Sequence, residues 1–370
     1  MKVFRTICRI LVGIVFVFSG FVKGVDPMGT VFRMEDYFVA FGIPWAGHVA
    51  IPLTIILVTL EFIIGISLLF NLWLKRISLI LLPMMIFFTV LTFFDAAFNI
   101  VPDCGCFGDA IKLSNLNTFL KNLALMVFVI PIFMQRKKFK TLIPVWSQVI
   151  LITIVAVLFA GTSLYSYRHL PLKDFMSWKV GNQVNQVNTT TVKFYVTYQN
   201  KKNPKKELTF EAPNYPWNDS VWMSQWVFKS QHPVESSHGP VNAVRIEDEA
   251  GIEVTSLLLN NPGLQFLFVT YDLSSANTDA FLRILPFNKK AIDNGCAFVC
   301  LTNSTLPEIK KFKIDHGTAF HFYQADDVVL KTMVRSNPGL ILLKGGKVLA
   351  KWHYNDIPSF EEIFRKYKNQ

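Results

Sequence analysis

Two cysteines separated by one glycine, Cys104-Gly105-Cys106, are the residues of this chain best suited to chemistry. Thiols this close can alternate between dithiol and disulfide. The ring they would close is very tight, and glycine tolerates the backbone angles it needs. A strained disulfide has a higher reduction potential and exchanges readily, which suits a redox relay. Two other chemistries fit the same residues. The pair can be a permanent disulfide that shapes a loop, or two thiolates can hold a soft ion such as Cu(I). No His or Met lies within a few residues to complete a metal site, so no metal is expected. The other three cysteines read differently. Cys8 is a small hydrophobe in an apolar run. Cys296 and Cys300 lie four apart in one expected strand, about 13 Å from each other at roughly 3.3 Å per residue. That is too far for a disulfide, which needs Cα atoms within about 7 Å.

The elements that must carry the Cys104/Cys106 loop are membrane helices. The 370 residues are 51% apolar and only 17% charged, against about a quarter charged in soluble chains. That excludes disorder, and five cysteines exclude a disulfide-dense scaffold. Spanning a bilayer takes roughly 20 apolar residues. Five stretches qualify, at about Thr6–Val22, Val49–Phe70, Ile77–Phe98, Phe119–Met134 and Leu142–Tyr165. The first has a basic start but no A-x-A-like cleavage site after it. A retained helix is expected rather than a cleaved signal peptide. Lys2, Arg5 and Arg9, then Lys75 and Arg76, then Arg136, Lys137, Lys138 and Lys140 all fall on one side of a five-span topology. Basic loops mark the cytoplasm. The N-terminus is therefore expected inside. The Cys104/Cys106 loop, and everything after Tyr165, is expected outside, where disulfides form and persist. Up to Arg168 there are 14 Lys/Arg against 7 Asp/Glu. Much of the net charge of +11 thus marks the cytoplasmic face, and nothing resembles a nucleic-acid-reading motif.

Two acids fall at or near membrane depth. Such groups usually face a bundle interior or water. Glu61 lies a third to halfway along the second span, where proton coupling and a packing hydrogen bond are both open. Asp95 is close enough to the outer end of the third span to be interfacial.

Beyond the fifth span, residues 167–262 begin with a linker. A strand follows at Thr189–Tyr198, alternating as Val192, Phe194, Val196 and Tyr198, then a partner strand at Glu207–Glu211. Trp217, Trp222 and Trp226 read as packing residues, with ligand binding the alternative. From residue 263 the pattern is regular. Leu264–Tyr271 and Cys296–Thr302 are buried strands, and Ala276–Asp293 and Leu306–Lys313 are helices. Leu340–Leu343 and Val348–Trp352 form a hairpin over Lys344-Gly345-Gly346-Lys347, and Ile357–Tyr367 is a closing helix capped by Ser359.

This last segment resembles a thioredoxin-like domain, on its element order and on Ser336-Asn337-Pro338-Gly339-Leu340-Ile341 before the hairpin. The resemblance implies a cis-proline at Pro338. It also implies a C-x-x-C near Asp272–Asn277, where this chain has no cysteine. Residues 1–135 resemble the DoxX/MauE group of four-helix membrane proteins. The match rests on Gly13, Phe18-Ser19-Gly20-Phe21-Val22-Lys23-Gly24-Val25-Asp26-Pro27, Glu61 and Cys104-Gly105-Cys106-Phe107-Gly108-Asp109. That group is associated with membrane redox processes, and MauE with methylamine dehydrogenase maturation beside a thioredoxin-like partner.

The expected architecture is a membrane α-helical bundle, a four-helix unit over 1–140 plus a fifth span over 141–166. A small β-rich region over 167–262 and an α/β thioredoxin-like domain over 263–370 follow. The expected setting is a bacterial inner membrane with the outer domain in the periplasm. The expected partners are the lipid bilayer and a periplasmic thiol or disulfide protein, with a quinone as one membrane acceptor and no nucleic acid. The alternative is a non-enzymatic envelope scaffold whose Cys104–Cys106 disulfide is permanent.

Overall fold

The computed structural model describes residues 2–101, 103–139, 143–184, 194–201, 203, 206–211, 216, 220–233, 244–318 and 320–368. Six long helices come first. They are α1 (Lys2–Val25), α2 (Pro27–Ala40), α3 (Ala50–Phe70), α4 (Leu74–Phe98), α5 (Asn115–Met134) and α6 (Val145–Arg168). Five of them, all but α2, are long and apolar enough to cross a membrane. The 24 residues of α1 reach about 36 Å at 1.5 Å per residue, more than a hydrocarbon core of about 30 Å. Asn71 and Asn99 end α3 and α4 in the left-handed conformation, with φ of 59° and 49°. Asparagine tolerates that conformation, which is why these two helices stop there.

The bundle core joins Cys8, Val12 and Phe16 of α1 to Ile64 and Leu68 of α3, and to Leu81, Leu125 and Val129 of α4 and α5. Small residues let α1 and α3 approach closely. A Cβ on Gly20 would sit 2.7 Å from the Phe62 nitrogen, and one on Gly65 would sit 2.5 Å from the Val17 nitrogen. Such close approach is a common means of helix association in lipid, where no hydrophobic drive brings helices together. The fifth span, α6, stacks Phe159 on Phe62 of α3 at 4.0 Å between ring centroids.

The helix α2 is not foreshadowed by the hydropathy. Its stretch carries Arg33, Glu35 and Asp36, which suggest a loop. Proline at its first turn starts the helix, and Met28, Val31 and Phe32 form an apolar stripe buried against Ala50 and Tyr167. Asp95, near the C-terminal end of α4, is fully buried. Tyr37 of α2 donates a hydrogen bond to its Oδ2 at 2.5 Å.

The outer part holds two sheets. In the small one, β1 (Phe194–Asn200) lies between β2 (Glu207–Glu211) and, after the short helix α7 (Ser220–Gln225), β3 (Trp226–Pro233). Trp222 and Trp226 pack on Tyr198. Residues 189–193 of the expected first strand, and Trp217, lie outside the described residues.

The larger sheet is built from β4 (Ile246–Glu247), β5 (Leu264–Val269), β6 (Ala297–Thr302), β7 (Phe322–Ala325), β8 (Gly339–Lys344) and β9 (Lys347–His353). The helices α8 (Thr255–Leu259), α9 (Thr278–Asp293), α10 (Leu306–His316), α11 (Asp327–Met333) and α12 (Phe360–Tyr367) connect and flank its strands. The strand order is β4-β7-β6-β5-β8-β9. The β5–β6 and β6–β7 pairs are parallel, and β5–β8 and β8–β9 are antiparallel. Alternation along β5 sends Phe266 and Phe268 into one core and Leu267 and Val269 into the other. A central parallel unit closed by an antiparallel hairpin is a thioredoxin-like fold. The Asn337–Pro338 peptide before that hairpin is cis. Cys296 and Cys300 are buried thiols in the first of these cores.

Candidate functional site

The Cys104/Cys106 loop joins α4 to α5 and is held by its own residues first. Gly105 and Gly108 adopt φ of +63° and +53°, where a side chain is strained. The Gly105 amide donates to Asp103 Oδ1 at 2.9 Å. Cys104 Sγ donates to Cys106 Sγ at 3.5 Å. Ser19 of α1 then pins the loop from below, donating to the Cys106 carbonyl at 2.7 Å. Phe107 packs edge-on against Phe18, and Lys121 Nζ sits 4.5 Å from its ring centroid.

Electrostatics separates the two thiols. The hydrogen bond from Cys104 favours a thiolate on Cys106. Burial opposes that charge, and Lys121 and Lys23 support it, bringing Cys106 down to about 6. Cys104 moves the other way, because its proton is held by Cys106 and its sulfur is buried. The thiolate is the nucleophilic form of cysteine, and of the two sulfurs Cys106 is the one biased toward it.

Below the loop, Glu61 of α3 meets Lys23 of α1, whose Nζ lies 2.5 Å from its carboxylate. Ser19 reaches the same carboxylate at 3.1 Å. Glu61 therefore belongs to a buried ion pair beneath Cys106. In the sequence Lys23 stands out only as part of a motif. The available signal is a lysine at the outer end of one span facing an acid in the next.

Above the loop is a second cluster that sequence reasoning missed. Arg33 of α2 binds Asp103 and Asp109, the acids flanking the cysteines, each at 2.8 Å. Arg335, three residues before Pro338, binds Asp109 Oδ2 at 2.5 Å and Asp26 Oδ2 at 3.2 Å. All three side chains of that second set are at least nine-tenths buried. Burial raises the pKa of Asp109, but Arg33 and then Arg335 outweigh it and hold the carboxyl below its usual range. For Asp26 burial wins over the attraction of Arg335, and its pKa is raised. Asp109 is thus bridged by two arginines, one from each half of the chain. Nothing near these residues in sequence announces a contact across 226 positions.

The cis Pro338 lies in the loop three residues after Arg335. In place of a C-x-x-C, the loop after β5 is tied to the proline loop by hydrogen bonds. Thr270 Oγ1 donates to Asn337 Oδ1 at 2.6 Å, Asn337 Nδ2 donates to the Asp272 carbonyl at 2.9 Å, and the Asn277 amide donates to the Asn337 carbonyl at 3.1 Å. Next to it Tyr271 packs edge-on against Phe32 of α2 at 5.5 Å. Among the described residues no group of three or more His, Cys, Asp or Glu is placed to hold a metal ion.

Fold and site together define a membrane helical unit with a Cys-Gly-Cys loop, joined to a thioredoxin-like domain without a thiol pair at the usual redox position. Residues 1–135 match the family described as "Methylamine utilisation protein MauE". A solution structure from Bacteroides thetaiotaomicron, described as a candidate protein disulfide isomerase, aligns with 34% of this chain and 83% of its own length. The identity is 15% and the TM-score 0.27. No curated protein matches the chain.

Proposed function

We propose that this chain is a thiol–disulfide redox protein of a bacterial inner membrane. In this reading Cys104 and Cys106 relay electrons between a thiol protein in the periplasm and a membrane-borne acceptor. The observation that carries it is the Cys106 sulfur, biased toward the thiolate, 3.5 Å from Cys104. In the reducing half-cycle a partner dithiol gives two electrons and two protons to the Cys104–Cys106 disulfide and leaves as a disulfide. In the oxidising half-cycle the two thiols return both electrons to the acceptor and the S–S bond forms again. The outer domain has no cysteine at its usual redox position. Its role is to hold the loop, through Arg335 and Asp109, and to present it to the partner. The basic segments around Arg5, Lys75 and Lys137 support a cytoplasmic N-terminus. Arg335 touches both Asp26 and Asp109, so the two acid-bearing connections lie at the same end of the bundle as the outer domain.

Thiol trapping of the membrane-embedded chain tests the relay. Cys104 and Cys106 should shift between labelled and unlabelled states when the reductant supply is changed. A pair that stays in one state under every supply would sink the relay and leave a structural loop.

A further inference from the structure

The thiols do not face only outward. A cavity of about 440 Å³ is lined by Cys104, Gly105 and Cys106 at one end and by apolar side chains along its walls. Ile56 of α3, Phe87 of α4 and Phe41 beyond α2 belong to those walls. They are 62%, 60% and 54% exposed, and in a membrane helix an exposed apolar side chain such as Ile56 or Phe87 meets lipid. The cavity therefore connects the sulfurs to the bilayer. Near the sulfurs its lining turns polar, with Ser19, Lys23, Glu61 and Lys121.

We infer that this cavity is the ring-binding site of a lipid-soluble quinone, the acceptor in the relay; the inference rests on the redox reading above. Four features select that class of ligand. The walls suit a ring and an apolar tail, and the volume lies within the roughly 300–1,000 Å³ typical of small-molecule sites. The polar end suits carbonyl oxygens. A lysine carries three donors, so Lys23 can hold Glu61 and still reach a ligand, while Lys121 stands over Phe107. The chemistry balances without another reactant. Two thiols lose two electrons and two protons as the S–S bond forms, and the quinone gains both to become a hydroquinone. A lipid acyl chain would fill the walls but would leave the donors unmatched and accept no electrons.

The test uses the full chain in nanodiscs, with ubiquinone-1 as the probe. Binding is measured on the Cys104→Ala/Cys106→Ala variant, where no electron transfer occurs. Oxidation is measured on the reduced native chain by loss of the quinone absorbance. The expected results are saturable binding and one hydroquinone per Cys104/Cys106 pair. Filling the cavity with Leu60→Trp, or separately with Leu57→Trp, should weaken binding at least tenfold; using two fillers guards against one that fails to fold. Oxidised glutathione is the control for the relay. If it oxidises the thiols while ubiquinone-1 neither binds nor reacts, the quinone site is overturned and the relay stands. If neither oxidant reacts with the thiols but the double alanine variant still binds ubiquinone-1, the relay fails and the site stands. Quinone binding unchanged in both folded filler variants would place the quinone elsewhere and overturn the inference.

Discussion

The asymmetry between Cys104 and Cys106 comes from one shared proton and two nearby lysines, and each contribution can be removed separately. Cys106 comes down to about 6 chiefly through the hydrogen bond from Cys104, with Lys121 and Lys23 next. Its thiolate is therefore populated above that value and lost as pH falls through it. An ordinary thiol titrates near 8.5. Replacing Cys104 with Ala removes the largest favourable contribution but leaves burial in place. The alkylation midpoint of Cys106 should then rise by at least one pH unit, measured as iodoacetamide rate against pH in the reduced protein. An unchanged midpoint would mean that the lysines alone set it. The cysteine pair was legible in the sequence because its spacing is local. The lysines were not, since Lys23 and Lys121 lie on different helices, and only the folded bundle brings both near one sulfur.

Helices are where the sequence was most readable, and where close packing remained hidden. Long apolar runs mark a span directly, because the hydrocarbon core demands them. All five expected spans correspond to helices in the structure, several of them longer than the apolar run. The helix α2 escaped because its buried apolar stripe, Met28, Val31 and Phe32, sits among charged residues. Close approach is equally invisible in hydropathy, since glycine contributes little to it. Gly65 shows the consequence. A Cβ there would meet the backbone nitrogen of Val17 at 2.5 Å, and backbone in a packed helix pair cannot move aside as a side chain can. Gly65→Leu should therefore separate α1 from α3 at a cost of about 1–3 kcal/mol, the usual range for overpacking. The Lys23–Glu61 pair depends on the same two helices. Reduced thermal stability in detergent should accompany weakened hold of the Cys104/Cys106 loop, visible as faster labelling of Cys104. Gly161 of α6 is the control, since a Cβ there would meet nothing within 4 Å, and Gly161→Ala should be neutral.

Across the whole chain, the two halves are joined by buried charges, of which Asp26 has its ion-pair partner, among the described residues, only across the junction. Asp26 belongs to the connection between α1 and α2, Asp109 to the cysteine loop, and Arg335 to the approach to Pro338. Removing one partner of a buried ion pair typically costs about 3–5 kcal/mol, because a charge is left in a low dielectric. Arg335→Ala keeps Arg33 on Asp109 but takes the paired guanidinium from Asp26, so Asp26 carries most of the penalty. Its pKa is already raised by burial, against the pull of Arg335, and loses that pull in the variant. A raised carboxyl pKa means that the docked state binds its proton more tightly. Docking in the variant should therefore be weakest at neutral pH and recover as pH falls and Asp26 becomes neutral. Hydrogen–deuterium exchange of α2 and of the loop around Cys106, compared at pH 5 and pH 7.5, reads this directly. Asp26→Asn in the Arg335→Ala background should remove most of the pH dependence, since asparagine carries no charge to bury. Other contacts also join the halves. His169 pairs with Asp356 at 2.7 Å, and Asn355 Nδ2 donates to the Arg168 carbonyl at 2.8 Å. These anchor the outer domain at the end of α6, so losing the Arg335 cluster should free the face over the thiols while the domain remains tethered. Protection lost evenly across the outer domain, with no bias toward α2 and the cysteine loop, would show that Arg335 supports folding rather than docking.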